Sequence, residues 1–155
     1  MLNELTISLR RIKYLLVVLL MSAGWTATAQ GVQLTVITHS EGAPAQLTMT
    51  ELRTVLKGER QRWPEGAKVR IALMKTTTPI GRSTCEKVYN MSADKVRRFW
   101  LELSFAGNAD APTFCNTVEE LEAFVAQNPG AIGIVDKFSG AAGIKITEID
   151  GKPSF

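Results

Sequence analysis

The chain has 155 residues, with 18 lysines and arginines against 15 aspartates and glutamates, a formal net charge of +3. Without residues 1–29 the balance is 15 basic to 14 acidic, a net of +1, and no basic tract is interleaved with aromatics, so a nucleic-acid partner is not expected. One histidine and two cysteines exclude a metal cluster of the His/Cys kind.

Residues 10–29 read RRIKYLLVVLLMSAGWTATA. Arg10, Arg11 and Lys13 precede an unbroken apolar run from Tyr14 to Met21, and Ala27-Thr28-Ala29 follows as a small-x-small cleavage site, the layout of a secretory leader. A membrane-spanning helix needs about 20 predominantly apolar residues. Ser22, Gly24, Thr26 and Thr28 interrupt too early for that, so no stable membrane insertion is expected after cleavage. No cysteine follows the cleavage site to carry a lipid. Cleavage after Ala29 leaves residues 30–155, read as one domain in the periplasm or outside the cell.

Residues 32–38 (VQLTVIT) alternate and are rich in β-branched side chains, which predicts a strand. Residues 39–46 read as a loop. Thr48 and Glu51 have capping-box spacing, and Met49, Leu52, Val55 and Leu56 share one face of the helix they open. Gly58 ends that helix, and Trp63-Pro64-Glu65-Gly66 marks a turn. Residues 69–74 predict a second strand. After a threonine-rich connection, a helix is expected from Pro79 or Ile80 to Tyr89, with proline in its first turn. Ser92 caps the next helix, residues 93–105, whose apolar stripe is Val96, Phe99, Trp100 and Leu103. Gly107 ends it, and residues 108–116 read as a loop. Thr117 and Glu120 form another capping box before a helix with Val118, Leu121, Phe124 and Val125 inward. Asn128-Pro129-Gly130 breaks that helix, and residues 131–135 and 144–149 are the last two strands. The order β-α-β-α-α-α-β-β places the chain in the α/β class.

Export puts Cys85 and Cys115 in an oxidising compartment. Two readings stand open: a bridge contributing about 3–4 kcal/mol, or two buried thiols acting as small apolar groups. Nothing points to an enzyme or a cofactor. The chain has no GxSxG, HExxH, CxxC or P-loop, and Glu119, Glu120 and Glu122 read as acids favouring a helix N-terminus.

One segment concentrates ligand-type chemistry. Residues 76–84 (TTTPIGRST) hold five hydroxyls, a guanidinium and a helix start. It is either an ordinary capped strand-to-helix connection or the mouth of an anion site. In the second case free N–H groups, hydroxyls and one arginine would supply the contacts without a metal.

Three further stretches carry a family resemblance: "LTMTELRTVLKGERQRWPEGAKVRIALMK", "FWLELSFAGNADAP" and "VEELEAFVAQNPGAIGIVD". Together they resemble the short periplasmic proteins related to the substrate-binding component of phosphate ABC transporters, in the type 2 periplasmic-binding-protein superfamily. The resemblance implies a three-layer α/β domain, shortened relative to full two-lobed members. It also implies binding rather than bond breaking: a small oxyanion such as phosphate held at helix N-termini, with an ABC transporter permease as partner. The larger members carry an arginine followed by a Ser-Gly-Thr turn. The matching segment here is Thr76, Thr77, Thr78, Gly81, Arg82, Ser83 and Thr84, with the glycine before the arginine. Thr38, His39 and Ser40 are expected to add a second set of polar groups. The alternatives are an envelope interaction or sensory module on the same fold, or a domain that has lost its ligand.

Overall fold

Local chemistry shapes most of the elements in the computed structural model, which describes residues 31–155. The leader read in residues 10–29 and its cleavage site lie outside the described residues. Helix α1 (Met49–Leu56) opens on a complete capping box. Thr48 Oγ1 accepts from the Glu51 amide at 3.2 Å, and Glu51 Oε2 accepts from the Thr48 amide at 2.9 Å. Leu52, Val55 and Leu56 are fully buried, each burial stabilising by roughly 1.5–3 kcal/mol. Gly58 lies just past the C-cap at φ +74°, the left-handed position that favours glycine.

Helix α2 (Pro79–Thr84) runs directly into a π-helical turn, Cys85–Tyr89. The single α-helix expected over these residues is therefore two conformations. The wider turn ends at Asn90, which adopts φ +53° while Cys85 O accepts from the Met91 amide. Its last side chain, Tyr89, is buried and donates to Leu56 O at 2.6 Å, and Trp100 Nε1 donates back to its hydroxyl at 3.1 Å. Burial pushes the Tyr89 phenol well above its usual pKa. Helix α3 (Ala93–Phe105), capped by Ser92, buries Val96 and Trp100 and leaves Leu101 and Phe105 exposed. Helix α4 (Val118–Gln127) buries Leu121 and Val125.

Six strands form one sheet: β1 (Thr35–His39), β2 (Gln46–Leu47), β3 (Arg70–Met74), β4 (Thr113–Cys115), β5 (Ala131–Val135) and β6 (Ile144–Ile149), in the order β2-β6-β1-β5-β3-β4. Strands β3, β4 and β5 are mutually parallel, whereas β1 runs antiparallel to both β5 and β6. Strands β2 and β4 fall in stretches read as loop. At two and three residues they have no periodicity of their own, and pairing with β6 and β3 alone makes them strands.

Strand β5 is buried along its whole length, which requires a covering layer on each face. On one side lies α4: a Cβ added to Gly133 would sit 2.5 Å from Leu121 Cδ2. Ile132 and Ile134 point the other way and are also buried, on the side of the sheet covered by other elements. Trp63 plugs the end of the same strand and donates from Nε1 to Gly130 O at 2.8 Å. No helix among the described residues is long and apolar enough to cross a membrane.

Candidate functional site

The parallel trio β3, β4 and β5 ends on one edge of the sheet, the edge where open α/β sheets place their ligands. Three polar connections meet there: residues 75–78 before α2, Asn116-Thr117 before α4, and the loop from Asp136 onward. The Lys75 amide donates to Cys115 O at 3.0 Å and ties the first two together.

Most of the chemistry in residues 76–84 is already used within the loop. Thr78 is the N-cap of α2: its Oγ1 accepts from the Gly81 amide at 3.0 Å and donates to Lys75 O at 2.8 Å. Gly81 is required sterically, because a Cβ there would run into Lys75 O and lie 2.8 Å from Met74 O. The absent side chain lets α2 sit directly on the end of β3. Thr84 is buried and its hydroxyl donates to Ile80 O at 2.9 Å, so it faces inward. Arg82 is exposed and folds back, Nη1 donating to Thr77 O at 2.6 Å. Among the described residues, the hydroxyls of Thr76, Thr77 and Ser83 have no side-chain hydrogen bond. With Arg82 they are the groups free to meet a solute.

The second expected set does not join them. Because β1 is antiparallel to β5, Thr38 pairs with Ile132 near the start of β5, and Thr38, His39 and Ser40 emerge at the opposite end of the sheet. A five-residue strand, about 16 Å, separates the two groups. Thr38 is fully buried, its hydroxyl 2.9 Å from that of Thr147, which donates to Pro44 O. His39 Nδ1 accepts from the Glu41 amide at 2.9 Å, and the Ser40 amide donates to Gly143 O. Each of these residues serves local structure.

Two acids shape the candidate edge in ways the sequence did not show. Glu120 Oε2 accepts from the Asn116 amide at 2.8 Å and from Asn116 Nδ2 at 3.1 Å, reaching one residue beyond the expected capping-box partner. Those bonds hold its carboxyl below the usual value. Glu122, read with Glu119 and Glu120 as an acid favouring the helix N-terminus, is buried. It accepts from the Ser139 amide at 2.9 Å and from the Ser139 hydroxyl, clamping the loop after β5. The helical period marks Glu122 as a neighbour of Leu121 and Val125, but only the β5–β6 loop gives its charge a partner.

Cys85 and Cys115 are buried free thiols. The bridge held open by the sequence is not formed, and burial raises the pKa of both. Among the described residues no group of three or more His, Cys, Asp or Glu side chains is placed to ligate a metal.

No protein-family model matches the chain, and no curated protein matches it. Solved structures do. An ABC-type phosphate transport receptor from Vibrio cholerae superposes with a TM-score of 0.61 at 13% identity, over 85% of this chain and 56% of that one. PstS from Borrelia burgdorferi gives 0.60 at 18% identity, over 77% and 47%. A phosphate ABC transporter substrate-binding protein with bound phosphate from Clostridium perfringens gives 0.58 at 16% identity, over 77% and 45%. The fold is thus a periplasmic-binding-protein-like α/β domain in shortened form, and the chain spans about half the length of these neighbours.

Proposed function

We propose that the protein is a periplasmic solute-binding module for a small oxyanion such as phosphate, serving an ABC transporter permease. The observation that carries this reading is the position of residues 76–84. Arg82 and the unengaged hydroxyls of Thr76, Thr77 and Ser83 stand where β3 gives way to α2, on the C-terminal edge of the parallel strands, in a fold shared with phosphate receptors. Arg82 would release Thr77 O and take the anion in a two-toothed contact, while the hydroxyls donate to its remaining oxygens. Binding needs no covalent step, so the reading is of a binder and not an enzyme.

The alternative, a partner-binding module, is favoured by an exposed apolar patch in the absence of a cavity. Leu101 and Phe105 are exposed one turn apart on α3, but a cavity is present elsewhere in the domain.

The test is thermal unfolding of the purified protein with millimolar phosphate, and with sulfate and chloride at matched ionic strength. A ligand at 100 times its Kd adds about 2.7 kcal/mol. A phosphate-specific rise in Tm that Arg82→Ala abolishes, with the Tm of the free protein changed by less than that rise, supports the site. A rise that persists in Arg82→Ala removes residues 76–84 from the reading.

A further inference from the structure

At the N-terminal end of β3, away from residues 76–84, the domain holds a cavity of about 220 Å³. Its walls come from three stretches: the connection after α1, residues 68–71 entering β3, and, about forty residues further on, residues 109–113 leading into β4. Phe124 of α4 closes one side. At about 30 Å³ per water, the volume suits a small organic molecule better than a lone ion.

Charge in this cavity is unbalanced. Arg60, Lys68 and Arg70 line it, and Asp110 is the one acid among its lining residues. Lys68 is paired with Asp110 at 2.5 Å. Arg70 has a neutral partner, donating from Nη1 to Asn128 Oδ1 at 3.1 Å. The carboxylate paired with Arg60 is Glu51 at 3.9 Å, the outer limit of an ion pair. One carboxylate, Asp110, therefore faces both Lys68 and Arg70, and Arg60 has its carboxylate at the edge of reach. The rest of the lining is mixed: Val69 and Ile71 are buried and Ala109 and Phe124 half-buried on one side, while Gln61 and Thr113 add exposed polar groups. A bare phosphate would satisfy the arginines and leave the Ile71–Phe124 side wet. A carboxylate carrying a short apolar body satisfies both.

We propose that this cavity binds a small amphipathic carboxylate, with Arg70 and Arg60 taking the carboxylate and the Ile71–Phe124 side taking the apolar body. The site is separate from residues 76–84 and does not depend on the oxyanion reading. Asp110 acts against the ligand, since its carboxylate neutralises Lys68 and repels a second anion. Removing its charge tightens binding, whereas a merely structural ion pair would weaken it on loss.

Sodium benzoate is the probe, titrated into the purified protein by calorimetry, with amide shifts followed by NMR. The expected result is saturable binding that moves the amides of residues 68–71 and 109–113. Arg70→Ala weakens it about tenfold or more, Asp110→Asn strengthens it, and Lys152→Ala, an exposed lysine beyond β6, leaves it unchanged. The opposite signs for Arg70→Ala and Asp110→Asn separate a binding effect from a folding defect. Absence of saturation up to about 10 mM benzoate, equal affinity in Arg70→Ala, or inorganic phosphate competing as well as benzoate would each overturn the proposal.

Discussion

At the C-terminal end of β3, Thr78 caps α2 with its hydroxyl and Arg82 folds back onto Thr77 O, whereas at the N-terminal end of the same strand Arg70 and Arg60 face a cavity with one acid to answer three cations. Sequence draws attention to the first end, because hydroxyls, glycine and arginine crowd into nine positions. It passes over the second, because Arg60, Lys68 and Arg70 look like scattered surface charge and Asp110 stands forty residues away from Arg70. The difference teaches that clustering in sequence often reflects turn chemistry, which consumes its own polar groups. Convergence in space comes from strand pairing, which sequence spacing does not display.

That contrast can be tested from the larger effect to the smaller. Gly81→Ala puts a Cβ against the backbone carbonyls of Met74, the last residue of β3, and of Lys75 just after it. A loss of about 3 kcal/mol, read from denaturant midpoints, is expected on the scale of overpacking. A loss under about 0.5 kcal/mol would mean that α2 does not sit this closely on β3, and the candidate edge would have to be redrawn. Thr78→Ala should cost about 1 kcal/mol by removing the cap, while Thr78→Ser restores most of it. If Thr78→Ala loses the phosphate response, Thr78→Ser keeps it, and neither loses stability, the hydroxyl belongs to a ligand site and not to the cap.

The smallest effect is electrostatic. Glu120 at the C-terminal end and Asp110 at the cavity end both have folded carboxyl pKa values lowered, Glu120 by hydrogen bonds from Asn116 and Asp110 by Lys68. A lowered folded pKa contributes stability above the ordinary value, which is lost as pH falls through the folded one. Glu120→Gln should therefore flatten the fall of Tm from the ordinary glutamate value of 4.5 downward, and Asp110→Asn from 3.8 downward. Both groups are exposed, so screening keeps the change small and high salt should reduce it further. Acid profiles identical to wild type would show that neither carboxylate's partners contribute to stability.

Helices were legible because their signals are local. Thr48 with Glu51, Ser92 before α3, and Leu121 with Val125 all act within one or two turns. Strands β1, β3, β5 and β6 were legible from alternation or apolar runs, and the resemblance led to the right fold. Strands β2 and β4 were not, nor was the π-helical turn at Cys85–Tyr89, whose register is set with Tyr89 bonded to Leu56 O and Trp100. The two sets of residues expected at the site part company in the fold. Residues 76–84 lie at the C-terminal end of β3 and Thr38, His39 and Ser40 at the other end of the sheet, since nothing in the spacing of residues 32–38 states that β1 runs antiparallel to β5.

By itself, then, the sequence determined the α/β class, the helix caps, the apolar faces and the presence of one hydroxyl-rich helix entry, because these depend on contacts a few residues apart. Tertiary structure alone decided which loops share an end of the sheet, that Glu122 is spent on Ser139, that Cys85 and Cys115 stay free, and that Asp110 joins Arg60, Lys68 and Arg70 at one cavity. The physical reason is strand direction: reversing one strand moves its loops the length of the sheet while leaving its pattern of buried and exposed residues unchanged.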